Sequence, residues 1–131
     1  MSYLAVLASA AAGFGIGALW YMTFAGAWMK AAGIETDDKG QPVADGSFWS
    51  FVVSGICMIL VAGMMRHVFA MAGIDGIKQS LVAGLGVGAF FITPWVTMNY
   101  AYAMRPKVLS VIDGGYAIFG CGAIGLVLGL F

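Results

Sequence analysis

Four apolar stretches, each about as long as a bilayer-spanning helix and joined by short links, constrain this chain more than any other feature. A helix rises about 1.5 Å per residue, so about 20 apolar residues cover a hydrocarbon core roughly 30 Å thick. The stretches run at about 2–23, 48–69, 78–102 and 108–131, and a polar loop occupies 33–46. In lipid every backbone N–H and C=O must find a partner within the protein, and helices achieve this segment by segment. The expected fold is therefore all-α: one polytopic membrane domain, residues 1–131, built as a four transmembrane helix bundle with short loops.

Composition agrees, since 62% of residues are hydrophobic and 9% charged, a balance that water-exposed surface could not accommodate in a chain this short. Six basic residues offset six acidic ones. No charge excess points to nucleic acid, and membrane lipids are the expected surroundings. The start, Met1-Ser2-Tyr3, lacks the basic residue of a secretory signal, and the apolar run after it is longer than a signal core. The first stretch therefore reads as a retained helix. Cys57 and Cys121 fall in different apolar stretches and read as small packing residues rather than a disulfide. With a single histidine, His67, at the end of the second stretch, neither a metal cluster nor a nucleophilic triad can be assembled. Met58, Met64, Met65 and Met71 suit irregular helix packing better than soft-metal binding. No cofactor, no metal and no enzymatic activity are expected.

Punctuation along the chain sharpens the boundaries. Phe24 to Lys30 suits an interfacial continuation of the first helix, and Glu35, Asp37, Asp38, Lys39, Pro42 and Asp45 make the following loop polar. Ser47 is a plausible N-cap for the second helix, Gly73-Ile74-Asp75-Gly76 a short second loop, and Met104 to Lys107 a tight third one. Pro94 removes a backbone donor and should kink the third helix. Trp20, Trp28, Trp49 and Trp95 all fall near the helix ends at the first and third loops, as an aromatic belt would. Lys30, Lys39, Arg105 and Lys107 lie on that side, against Arg66 and Lys78 on the other, which favours cytoplasmic first and third loops.

Small residues recur every four positions: Ser9, Gly13 and Gly17 in the first stretch, Gly84 and Gly88 in the third, and Ala117, Cys121, Gly125 and Gly129 in the fourth. Such stripes let helices approach closely in lipid. They serve either packing within the bundle or contact with another copy.

Asp113 is the one carboxylate inside an apolar span, six positions beyond Lys107 and so about 9 Å below the third loop. Asn99 precedes Arg105 by six positions on the adjoining helix and should return to the same depth. Trp95, Asn99 and Tyr102 share a stripe, as do Asp113 and Tyr116, and Trp20 and Tyr21 arrive from the first helix. The expected polar and aromatic layer comprises Trp20, Tyr21, Asn99, Tyr100, Arg105, Asp113 and Tyr116. It reads either as a ligand, lipid-headgroup or proton site, or as a structural device in which Asp113 pairs with Arg105 and joins the last two helices.

Gly17-Ala18-Leu19-Trp20-Tyr21 with Phe24-Ala25-Gly26-Ala27-Trp28-Met29-Lys30, then Asn99-Tyr100 before Arg105-Pro106, then Ile112-Asp113-Gly114-Gly115-Tyr116 occur in that order. This pattern resembles the bacterial membrane family called domain of unknown function 1761. The resemblance implies a compact four-helix protein, multi-pass in the bacterial inner membrane, with no assigned activity. Met98 and Ala117 depart from it where an asparagine and a histidine are expected, which removes any proton-transfer role for such a histidine. The functional expectation is a non-enzymatic accessory subunit that forms a homo-oligomer or joins a larger membrane complex. The alternative is a small transporter or channel with Asp113 as its polar site.

Overall fold

A computed structural model describes residues 2–40 and 47–131. The polar-loop residues 41–46, Pro42 and Asp45 among them, and the side-chain cap expected of Ser47 lie outside the described part. Five α-helices follow one another: α1 (Ser2–Ala32), α2 (Ser47–Ala72), α3 (Ile77–Val87), α4 (Thr93–Tyr102) and α5 (Lys107–Leu130). A π-helical turn, Gly88–Ile92, joins α3 to α4. These make four helical rods, all long and apolar enough to cross a membrane. The protein is thus all-α, as its apolar stretches demand.

α1 runs beyond the expected end near residue 23. It continues to Ala32, with one non-helical residue, Phe24, at φ −106° and ψ 16°. The segment 25–32 is thus the helical continuation expected after the first span, set off from it by a kink. It bends at Phe24 and stays with the bundle, because Trp28 has a partner there.

The disturbance expected at Pro94 takes the form of the π turn. Proline at position 94 cannot donate to the Phe90 carbonyl, and its ring crowds that carbonyl. The preceding turn widens instead, and the Thr93 N–H donates five residues back to the Gly88 oxygen.

Three of the helix ends share one device. At α1 the Ile34 N–H returns to the Met29 carbonyl at 3.0 Å, and at α2 the Ile74 N–H returns to the Phe69 carbonyl at 2.9 Å. Both turns need a left-handed residue, supplied by Gly33 (φ 76°) and Gly73 (φ 71°). After α4 the Arg105 N–H reaches the Tyr100 carbonyl at 3.0 Å, but the left-handed residue is Met104 (φ 54°).

α5 is the centre of the bundle. It packs along α3, α1 and α4 and touches α2 only marginally, while α2 leans on α1. The buried core joins Ala10, Ala62, Met65, Phe69, Cys121 and Ile124 from α1, α2 and α5. Close approach of α5 and α3 rests on their small residues. A Cβ added at Gly84 would overlap the Cys121 carbonyl, one at Gly88 the Ala117 carbonyl, and one at Gly125 the Ser80 carbonyl. At Gly129 it would meet the Gly76 oxygen at 2.8 Å. On α1, Gly13 lies against Ile124 and Met58, and Gly17 makes room for the Tyr116 ring. Of the two uses open to these stripes, packing within the chain is the one observed. Both cysteines are free thiols, Cys121 buried and Cys57 exposed.

Candidate functional site

Asp113 sits in the second turn of α5, where Gly114 and Gly115 clear space on either side of it. A Cβ at Gly114 would press on Thr93 at 2.7 Å, and one at Gly115 would overlap the Trp20 indole. α4 and α1 therefore close on α5 at the level of the carboxylate. The Thr93 hydroxyl uses this approach to donate to the Gly114 carbonyl at 3.0 Å, and the Trp20 indole N–H donates to the Ile112 carbonyl at 2.8 Å.

Three side chains donate to the carboxylate itself. Oδ1 accepts the Tyr21 hydroxyl and, at 3.1 Å, the Trp28 indole N–H. Oδ2 accepts the Tyr100 hydroxyl. Tyr21 and Trp28 are seven residues apart, about two turns, and so share a face of α1. They lie on either side of the bend at Phe24, and both reach one oxygen. All three donors are neutral, and no cation pairs with Asp113 among the described residues.

Rings fill the surrounding space. Tyr21 stands edge-on to Trp28, with centroids 5.8 Å apart, and to Tyr116 at 5.4 Å. Trp20 packs against Phe24 and Phe119. Tyr116 extends the layer inward, donating to the Gly13 carbonyl at 3.0 Å beside the Met58 sulfur.

The structure thus brings together Trp20, Tyr21, Tyr100, Asp113 and Tyr116. It separates two residues from them. Asn99 is exposed and stands outside the hydrogen-bond set of Asp113, a correction to the expected layer. Neighbouring helical residues point about 100° apart, so Asn99 and Tyr100 cannot both face α5, and the larger ring does. The stripe shared by Trp95, Asn99 and Tyr102 is real but faces outward, with Trp95 66% and Tyr102 86% exposed. Arg105 does not pair with Asp113 either. It donates to the Ala32 carbonyl at the C-terminal end of α1, where a cation suits unsatisfied carbonyls.

Two participants escaped the sequence reading. Trp28 fits an aromatic belt by position alone, yet its seven-residue spacing from Tyr21 puts both on one helix face. Thr93 had no such signal. The belt itself is divided: Trp49 and Trp95 are exposed, whereas Trp20 and Trp28 spend their N–H groups inside the bundle.

Chemically, the arrangement fixes a carboxylate at three points and ties α1, α4 and α5 together through it. Among the described residues no group of three or more His, Cys, Asp or Glu could hold a metal ion. No curated protein and no solved structure matches the chain. The model of one family, described as a protein of unknown function (DUF1761), matches residues 4–129. With that match spanning nearly its whole length, over the Trp20-Tyr21, Asn99-Tyr100 and Asp113-Gly114-Gly115-Tyr116 motifs alike, the chain belongs to the DUF1761 family.

Proposed function

We propose that this protein is a non-enzymatic accessory subunit of a membrane assembly, multi-pass in the bacterial inner membrane, in which Asp113 has a structural role. One observation carries the reading: both oxygens of Asp113 are engaged by donors from within the chain, and aromatic rings occupy the space around them. A carboxylate held this way stabilises helix contacts and leaves little room for cargo. The protein's outward surfaces are then its means of contact. α2 in particular exposes Phe48, Trp49, Ile56, Leu60 and Met64. Since the glycine stripes pack within the chain, such larger apolar residues are the ones left for a homo-oligomer to use beside the open Gly15, Gly55 and Gly86.

A transporter or channel is the second reading, favoured by the lack of a cationic partner for Asp113 among the described residues. Native mass spectrometry of the protein purified with its lipids tests the first reading, for which a discrete multimer or retained partner is expected. A clean monomer overturns it. Asp113→Asn in proteoliposomes separates the two: coupled flux lost with the fold kept supports transport, whereas a subunit changes only in stability or assembly.

A further inference from the structure

At the end of the bundle remote from Asp113, the last turns of α2 and α5 and the start of α3 surround a half-open pocket of about 180 Å³. Its walls are about equally polar and apolar: Phe69, Leu128 and Phe131 are among the apolar residues, and three polar side chains line it, Arg66, Asp75 and Ser80. Arg66 lies six residues before the end of α2, so its stem starts about 9 Å inside that helix terminus. An arginine at that depth needs an anionic or carbonyl partner. Among the described residues it has none, and although Asp75 lines the same pocket, the two form no ion pair.

Ser80 gives an independent indication. The residue is only 3% exposed, yet its hydroxyl has no hydrogen-bond partner among the described residues. Among the described residues no buried side-chain oxygen or nitrogen is both sealed and unsatisfied, so this hydroxyl opens onto the pocket it lines rather than into packed protein. Asp75 is partly committed: its Oδ1 accepts the Gly76 N–H at 2.9 Å, which leaves Oδ2 free to accept another donor.

We propose that this pocket binds the headgroup of a zwitterionic phospholipid bearing a primary ammonium, with its phosphate on Arg66 and Ser80 and its ammonium at Asp75. A wholly anionic head would meet repulsion from Asp75, and a simple cation would meet it from Arg66. A zwitterion satisfies both without either residue moving to the other. A guanidinium offers a phosphate two parallel N–H donors, and the serine hydroxyl adds a third. A quaternary ammonium has no N–H to give the carboxylate, so the primary amine is preferred. The volume suits a headgroup rather than a whole drug-sized ligand. The acyl chains run outside the pocket, past the apolar side chains at its rim.

The test is native mass spectrometry of the delipidated full chain in detergent, titrated with short-chain phosphatidylethanolamine, phosphatidylglycerol or phosphatidylcholine. Glycerophosphoethanolamine, a headgroup without chains, forms a fourth arm. The ethanolamine lipid is expected to bind about tenfold more tightly than the other two. Arg66→Gln should weaken it by about tenfold, and Asp75→Asn should abolish the preference for ethanolamine over glycerol. Asp75 is exposed, so its variant reads the proposal even if Arg66→Gln fails to fold. Equal binding of the three lipids by the unaltered protein overturns the proposal, as does an Asp75→Asn protein with its preference intact. Glycerophosphoethanolamine binding as tightly as the lipid overturns the lipid as source.

Discussion

Trp28 donates its indole N–H to Asp113 Oδ1 at 3.1 Å, from beyond the bend that Phe24 introduces into α1. The bend and the bond explain each other. One non-helical residue costs backbone hydrogen bonding, and a donor delivered to a carboxylate in a low-dielectric setting offsets that cost. Trp28→Phe retains an aromatic ring and removes the donor. We expect a loss of about 1 kcal/mol in detergent unfolding and faster proteolysis of residues 25–32, since this bond ties the segment to Asp113 and leaves the Arg105 bond at Ala32 to hold its far end. Unchanged stability would mean that the bend is held by other contacts.

Asp113→Leu should cost more than any single donor variant, about 3 kcal/mol, because it leaves three polar groups from α1 and α4 without their acceptor. Tyr21→Phe and Tyr100→Phe each remove one donor and should cost about 1 kcal/mol. Equilibrium unfolding of the four proteins checks the order. A leucine variant as stable as the tyrosine variants contradicts a shared acceptor.

Asn99 and Tyr100 provide a paired comparison. Asn99→Leu changes an exposed side chain outside the carboxylate's set and should shift stability by less than about 0.5 kcal/mol. Its neighbour's Phe variant should show the larger loss in the same assay. Equal losses would put Asn99 back into the layer.

Gly88 and Gly86 separate packing from propensity. A methyl at Gly88 collides with the α5 backbone at Ala117, which cannot yield without moving the helix. Gly88→Ala should therefore destabilise by about 2 kcal/mol or more. A methyl at Gly86 meets nothing within 4 Å, so Gly86→Ala should be neutral or gain up to about 1 kcal/mol of helix propensity. Thermal unfolding of both proteins decides it, and a tolerated Gly88→Ala would contradict the close α3 and α5 contact.

Met104 occupies a left-handed turn that Gly33 and Gly73 fill at the ends of α1 and α2. The methionine side chain is 89% exposed and has little packing to lose. Met104→Gly should stabilise by up to about 1 kcal/mol, the backbone strain removed less the entropy that glycine adds to the unfolded chain. A higher midpoint in thermal unfolding is the expected reading; a lower one would show that the turn is not strained.

What the sequence determined by itself was the four helices, their approximate ends apart from that of α1, and the candidacy of Asp113 and its tyrosines. Hydrocarbon leaves a long apolar segment only one way to satisfy its backbone, so helix is forced locally, and a carboxylate in such a segment stands out on cost alone. Helical spacing also grouped Trp95, Asn99 and Tyr102 correctly. Which way that stripe faces was decided by the tertiary structure, because spacing fixes the angles between side chains but not the rotation of a helix against its neighbours. The same holds for the glycine stripes, equally suited to an internal or an external partner until α3 and α5 met. Trp28 joined Asp113, and Arg105 turned to Ala32, because a bend of one residue and a loop of a few set distances that no segment encodes alone.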